Sequence, residues 1–551
     1  MTEEGQMPPL DSSIDFIGNP DTKIFWQGSP ASLAFDEDAV RRVLLVLDEP
    51  VWAAAQGVRI GLANEGVMVS ENEGHQASKL LAYAPPVTID QLGDQEFRKS
   101  YGVRYAYYTG AMANAIASEE LVITLGKAGI LASYGAAGLT PAYLEQAIIN
   151  IKAALPNGPY AFNLINSPNE PTLESRTVDL FLKHGITTIE ASAYLSVTIG
   201  LVYYRAAGLS LLPDGRIHIG NRVIVKLSRQ EVARRFLSPA PKDMLKRLVE
   251  EGKISEQQAQ LAGQVPVADD VTVEADSGGH TDNRPLVCMI PAFLAQRDEF
   301  QAKYHYPQKI RVGAAGGIGT PSAALAAFSL GAAYVVSGSI NQACVEAGTS
   351  EFTRDLLAKS AMTDVGMAPS ADMFEMGVKV QVLKRGTMFA MRAQKLYDLY
   401  SRYASLEEIP SEEREKLETQ VFKKSLETVW DETVQFFMER DPIQVERANK
   451  NPKDKMALVF RWYLGLSSRW SNSGVKGREM DYQVWCGPSM GAFNNWTQGT
   501  YLAEPANRRV VDVAHQILTG CAYLSRLRML GLQGLRFSPN LERYIPAQPL
   551  A

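Results

Sequence analysis

Between about residues 104 and 360, short apolar and β-branched runs alternate with longer stretches whose apolar positions recur at helical spacing. Eight such runs stand out: 104–109, 129–134, 160–165, 186–191, 222–227, 271–276, 310–314 and 333–338. Between them lie PAYLEQAIINIKAAL, TLESRTVDLFLKHG and TPSAALAAFSLGA, each with the apolar face of a helix. Several predicted helices end at a glycine just before the next run, in KAGILAS, KHGITTIE and SLGAAYVV. Glycine suits the left-handed position that closes a helix. Strands alternating with helices imply a parallel sheet, and eight units over about 250 residues fit a (β/α)8 TIM barrel. The fold class is therefore α/β.

Three segments lie outside that alternation. Residues 1–100 read as an α+β front module of unassigned role, with VRRVLLVLD and VRIGLANEGVMVSE as strand-like stretches. The barrel is expected over 101–385. After VIVKLSR, a polar helical segment (KDMLKRLVEEGKISEQQAQLAG) forms an insertion at about 237–266, either a lid or arm or a plain surface insertion. Residues 386–551 read as a mostly helical C-terminal region. Its mixed charges suggest solvated helix faces. Its aromatic clusters, FRWYLGLSSRW and YQVWCGPSMGAFNNW, suggest core or interface and point to a homodimer.

Composition narrows the function classes. The 551 residues carry 55 Lys+Arg against 61 Asp+Glu, a net charge of −6 with no basic block, so nucleic acid is not an expected partner. Hydrophobic content of 46% with 21% charged residues is that of an ordinary globular chain rather than a disordered one. The four cysteines, Cys288, Cys344, Cys486 and Cys521, form no CxxC pair, which argues against a disulfide framework and for a reducing, cytoplasmic setting. The acidic, polar start MTEEGQMPPLDSS does not read as a signal peptide, and no apolar run approaches the roughly 18 residues needed to span a bilayer.

A barrel presents its chemistry at the C-terminal ends of its strands. Here those ends carry TGAM, SYGAAG, Asn163, ASAY, Lys226, SGGH, AAGGIG and SGSIN. The last two belong to KIRVGAAGGIGTPSAALAAFSLGAAYVVSGS, two consecutive glycine loops. Backbone N–H groups after the seventh and eighth strands commonly cradle a phosphate, and Gly316, Gly317, Gly338 and Ser339 are the candidate donors. The bland alternative is that these glycines only make tight turns. A dinucleotide-fold reading is also available, because Gly313, Gly317 and Gly319 satisfy GxxxGxG. It fails because none of the 22 tyrosines has a lysine four residues on, and because six strand–helix units precede the motif.

His280 follows two glycines at a strand end. Its near-neutral titration suits proton transfer, although a lone histidine is more often structural. No HxxxH pair occurs, so no metal site is expected. Lys226, at the end of RVIVKL, is either an inward cation that stabilises an anion or a strand-terminal surface lysine. Asn163 either bonds a ring edge or caps a turn.

DSGGH followed by VGAAGGIGTPSAALAAFSLGAAYVVSGS resembles the FMN-dependent barrels of the nitronate monooxygenase and FabK-type enoyl reductase superfamily. Longer stretches (YYTGAMANAIASEELVITLGKAGILASYGAAGL, PYAFNLINSPNEP, FEMGVKVQVLKRGTMFAMRAQKLYDLY and YQVWCGPSMGAFNNWTQGTYL) resemble the PfaD family. Its members are trans-acting enoyl reductases of polyunsaturated fatty acid and polyketide synthases. The resemblance runs from about residue 25 to 545. It implies FMN and NADPH as cofactors and a trans-2-enoyl group on an acyl carrier protein as substrate. It places the flavin phosphate on Gly316, Gly317, Gly338 and Ser339, and the ring near Ala111, Met112, Asn163, Lys226 and Gly278. It gives His280 the catalytic histidine position, with Lys226 beside it. Related nitronate enzymes usually continue Gly-Gly-His-x-Gly, whereas Thr281-Asp282 follow His280 here. The alternatives are a nitronate monooxygenase-type flavin oxidase and a non-catalytic barrel serving as a scaffold.

Overall fold

The computed structural model describes residues 13–17, 23–70, 77–166 and 171–550. Residues 1–12 of the amino-terminal stretch, His75 and the end of PYAFNLINSPNEP lie outside them. The described chain divides into two compact units: residues 93–320 with 327–513, and residues up to 92 with 321–326 and 514–550.

The larger unit is built on a closed barrel of eight parallel strands. In chain order they are Tyr107–Thr109, Leu131–Tyr134, Ala161–Ile165, Thr188–Ser192, Arg222–Leu227, Asp270–Glu274, Arg311–Ala315 and Val335–Ser337. Each pairs with its sequence neighbours, and Ser337 opposite Thr109 closes the ring. All eight predicted runs overlap these strands. The strands are apolar on both faces because both are covered: Val223, Ile224 and Val225 are fully buried. Helix starts are set by side-chain caps, with Ser118, Thr140 and Thr198 each accepting an N–H from the residue three positions on. At the helix ends flagged in the sequence, Gly129, Gly185 and Gly331 adopt φ of 73°, 62° and 98°.

Charge pairs tie down the N-terminal end of the barrel. Arg311 donates to both Asp270 oxygens at 2.6 and 2.7 Å, and Arg205 to both Asp269 oxygens at 2.8 and 3.0 Å. Helix Gln230–Leu237 follows the fifth strand, and the predicted insertion at about 237–266 then forms helices Lys242–Glu250 and Glu256–Ala262 before the sixth.

Two strands, Val365–Pro369 and Lys379–Leu383, follow the barrel and accept Gly279–His280 as a third, antiparallel strand. Helices then dominate. The charged stretch around 411–440 is divided into Ser411–Lys416, Leu417–Phe422 and Leu426–Arg440, with Lys423 at φ 55° and Ser425 capping the last. The aromatic cluster around 460 is core: Phe460 and Tyr463 are fully buried with Phe389 and Phe422, and Trp462 and Trp470 pack against them.

The smaller unit holds a five-stranded sheet ordered Arg59–Ala63, Val51–Gln56, Ser78–Ala84, Ile24–Gln27, Val67–Ser70. Trp26, Leu33 and Trp52 centre its core. The stretch VRIGLANEGVMVSE forms two strands as expected, but the strand reading of VRRVLLVLD is overturned. Glu37–Leu45 is a helix capped by Asp36, which accepts from Ala39 N at 2.9 Å. Val40 and Leu44, four residues apart, are fully buried, while Arg42 stays exposed. Helical spacing buries both apolar residues on one face, whereas an extended chain would split the intervening arginines between the sheet's two faces.

Candidate active site

A cavity of about 550 Å³ opens at the C-terminal ends of the barrel strands. Every candidate site residue named from the sequence lines it. Gly316 and Gly317 come from the loop after the seventh strand, and Gly338 and Ser339 are the N-cap and first residue of the short helix Ser339–Gln342 after the eighth. Ala111 and Met112 line it just after the first strand, Asn163 and Lys226 from the third and fifth strands, and Gly278 and His280 from the segment after the sixth, where Gly279–His280 forms a short strand.

The glycine loops combine two kinds of constraint. Gly316 has φ 85°, and a Cβ there would lie 2.6 Å from the Ala275 carbonyl carbon, so this glycine lets two loops touch. Gly317 has φ 77°, and neither it nor Gly338 has any atom within 4 Å of the Cβ position. Those two face open space, so backbone amides can approach a bound group. Gly278 serves packing: a Cβ there would sit 2.8 Å from Cys486 N, which brings the C-terminal segment against the barrel mouth.

Lys226 points inward. Its side chain is 15% exposed, with Nζ 3.5 Å from Glu190 Oε1 and 3.2 Å from Glu274 Oε1. Burial alone would lower its pKa; the two carboxylates outweigh that and raise it, so the ammonium is permanent. Both contacts are ion pairs, and Lys226 also lines the cavity. Glu190 is fully buried. It accepts from the Tyr108 hydroxyl and from Ala111 N at 3.1 Å. This carboxylate therefore ties the first strand to the fourth. Asn163 does not cap a turn. Its Nδ2 donates to Glu190 O and Ser192 Oγ, both at 3.1 Å, fixing the amide across the third and fourth strands.

His280 owes its position to the added sheet. It pairs with Val380 in register, and Asp372, just beyond Val365–Pro369, places Oδ1 3.2 Å from His280 Nε2. That is an ion-pair distance, without the alignment of a full hydrogen bond. Burial would lower the imidazole's pKa, but Asp372 outweighs it, assisted by Glu274 and opposed by Lys226, so the pKa is raised. Asp372 is correspondingly lowered by His280, against its own burial. The residues that replace the expected glycine pin the loop instead. Thr281 Oγ1 donates to Ala275 O at 3.1 Å, and Asp282 accepts from Ser228 at 2.6 Å and from Arg229 at 2.9 Å. The Arg229 hydrogen bonds hold Asp282 at a pKa of about 2, so this anchor is charged at any working pH.

Sequence reasoning missed the partners of these residues. Glu190 and Glu274 sit inside apolar strand runs, and an acidic residue within such a run was the available signal. Strand Lys379–Leu383 is also detectable, because KVQVL alternates β-branched and polar residues. Asp372 carried no signal. The outer wall was missed entirely: Phe436 and Arg440 from helix Leu426–Arg440, and Arg461, Trp462 and Arg469 from helix Pro452–Ser473, line the same cavity.

Two family models match segments of the chain. Residues 26–86 match the fatty acid synthase subunit PfaD N-terminal domain, and residues 403–482 match the inserted helical domain of [acyl-carrier-protein] S-malonyltransferase. A polyunsaturated fatty acid synthase subunit of Thraustochytrium sp. is 50% identical over 82% of this chain and 31% of its own length. Polyketide biosynthesis protein PksE of Bacillus subtilis is 45% identical over 80% of this chain and 58% of its own length. The chain thus spans about a third and about three fifths of these two relatives. Among solved structures, the enoyl reductase domain of MlnA, from the macrolactin biosynthesis cluster of Bacillus amyloliquefaciens, is 42% identical with a TM-score of 0.76. That match covers 81% of this chain and 100% of the other.

Proposed function

Because this chain belongs to the PfaD family, we propose that it is an FMN- and NADPH-dependent enoyl reductase acting in trans on enoyl groups carried by an acyl carrier protein of a fatty acid or polyketide synthase. One observation carries this reading: a single cavity at the C-terminal mouth of the barrel gathers two open glycine loops, a carboxylate-clamped lysine and a histidine paired with an aspartate. The likeness to the MlnA enoyl reductase domain supports the reaction, and the synthase relatives support the carrier-bound substrate.

The donor set fits a flavin mononucleotide. Gly317 and Gly338 leave room for backbone amides to meet a phosphate, with Gly316 and Ser339 completing the cradle. Ala111, Met112, Asn163, Gly278 and Lys226 border the space a flat ring would fill. Bound FMN supplies hydride exchange between the nicotinamide and the β-carbon of the enoyl thioester.

The chain's own residues do the rest. Lys226, held by Glu190 and Glu274 at the cavity lining, stabilises negative charge there. His280, kept protonated by Asp372, donates a proton to the substrate as the thioester gains enolate character. Glu190 works through Ala111 N and Lys226, fixing both. The wall formed by helices Leu426–Arg440 and Pro452–Ser473 narrows the mouth and limits water around the reacting carbons.

An anaerobic stopped-flow experiment tests the assignment. Reduction by NADPH should bleach a flavin band, and adding a trans-2-enoyl thioester without oxygen should restore it. Recovery only on admitting oxygen would assign an oxidase instead. Absence of a flavin band even after FMN is added would point to a scaffold.

A further inference from the structure

The charged groups lining the outer cavity are nearly all matched. Lys226 has Glu190 and Glu274, and His280 has Asp372. Arg461 has Glu375 at 3.2 Å, and Glu432 has Lys424. Arg469 differs. It is partly buried, and among the described residues no carboxylate lies within ion-pair distance of it. Its Nη2 donates to the Gly138 carbonyl at 2.9 Å, and its guanidinium lies 5.6 Å from the centre of the Phe436 ring. Arg440 brings a second guanidinium to the same ring at 5.7 Å.

This arrangement is costly without a ligand. Burial lowers the Arg469 pKa, and the positive charge of Arg440 lowers it further. Among the described residues no carboxylate stands at Arg469, and the guanidinium of Arg440 at the same ring adds to its positive surroundings, an imbalance that an incoming anion would reduce. The geometry is rigid enough to select one. Gly138 has φ 83°, and a Cβ there would lie 2.1 Å from Asn114 Oδ1; Asn114 in turn donates to Ser468 at 2.6 Å, one residue before Arg469. The carbonyl that orients Arg469 is thereby fixed to the helix that carries it. The planar fork left over matches phosphate oxygens.

We propose that Arg469, with Arg440, forms a subsite at the cavity mouth for a phosphate ester on the molecule that enters to react. It lies beside the loop after the second strand, in a different sector of the rim from the glycine loops after the seventh and eighth. The reacting molecule is either an enoyl thioester on a phosphopantetheine arm or the phosphorylated nicotinamide dinucleotide. The choice between them rests on the enoyl reductase reading; the anion subsite does not.

The experiment compares wild type with Arg469→Met and Arg469→Lys, using crotonyl-phosphopantetheine against crotonyl-pantetheine, and NADPH against NADH. FMN content and melting temperature are the folding controls. If the pantetheine phosphate is the ligand, R469M raises KM about tenfold or more for the phosphorylated thioester alone, with R469K intermediate. If the dinucleotide phosphate is the ligand, KM rises for NADPH and not NADH. Either result supports the subsite and names its source. Inorganic phosphate should also compete, in wild type, with only the phosphorylated member of that pair. Calorimetric titration of phosphopantetheine and of NADPH into wild type and R469K gives an answer even without turnover. If the wild type turns over neither thioester but R469K weakens one of these bindings, the reductase reading fails and the subsite stands. Unchanged KM values, no phosphate competition and unchanged binding would overturn the proposal.

Discussion

At the scale of single residues, the cavity separates charges that are permanent from one that titrates. Lys226 stays charged because two carboxylates outweigh its burial, so it contributes no pH dependence near neutrality. His280 is the group that switches. Its pKa is raised above the ordinary value by Asp372, so the protonated form is complete at low pH and is lost as pH rises through that raised value. His280→Ala should slow enoyl-dependent flavin reoxidation by a factor on the order of 10²–10⁴ while FMN stays bound, read by anaerobic stopped flow. Unchanged reoxidation in that variant would remove His280 from the chemistry. Asp372→Asn should move the alkaline limb of the kcat/KM profile to lower pH without abolishing activity. A profile that keeps its position would make Asp372 merely structural. Asp372 was not legible in the sequence, because what qualifies it is its distance from an imidazole 92 positions earlier in the chain.

At the scale of elements, the two strands after the barrel matter most. Gly279–His280 is only two residues long and gains its fixed direction from Lys379–Leu383, which supplies the register. A strand this short has no stability of its own. The glycine loops show a second element-level distinction. Gly316 is held by both its φ and the neighbouring Ala275 carbonyl, whereas Gly317 is held by φ alone. Gly317→Ala should cost about 1–2 kcal/mol, the penalty for a left-handed alanine. Gly316→Ala adds a steric clash, typically a further 1–3 kcal/mol, and should lose FMN as well. Denaturation midpoints and the flavin content of the purified variants test the order. Equal losses would mean that the Ala275 contact relaxes freely.

At the scale of the whole molecule, each unit gathers residues remote in sequence. In the smaller one, Arg526 is fully buried and donates to Leu44 O at 2.9 Å, Val46 O at 2.7 Å and Glu49 O, closing the end of helix Glu37–Leu45. Ile14–Phe16 pairs antiparallel with Leu535–Phe537. Burial brings the Arg526 pKa down to about 10. Arg526→Met leaves those carbonyls without a donor and should destabilise this unit by roughly 1–3 kcal/mol. Faster proteolysis within residues 37–50, at unchanged flavin content, is the expected signature; unchanged proteolysis would count against the role. In the larger unit, helices Leu426–Arg440 and Pro452–Ser473 bring Phe436 and Arg469 to the same cavity as residues near position 110.

The sequence by itself determined the barrel and the residues that end its strands. Both are written locally: apolar runs of strand length, glycines where the chain must turn left-handed, and side chains that the barrel's geometry directs into one mouth. It misread VRRVLLVLD, where β-branched residues suggested a strand while a capping aspartate and helical spacing decided otherwise. What the tertiary structure alone decided is which charges meet. Glu190 and Glu274 became the clamp on Lys226, Asp372 the partner of His280, and Arg469 a cation with no carboxylate beside it among the described residues. The strength and sign of those effects depend on separations of a few ångströms and on burial, and neither is encoded in spacing along the chain.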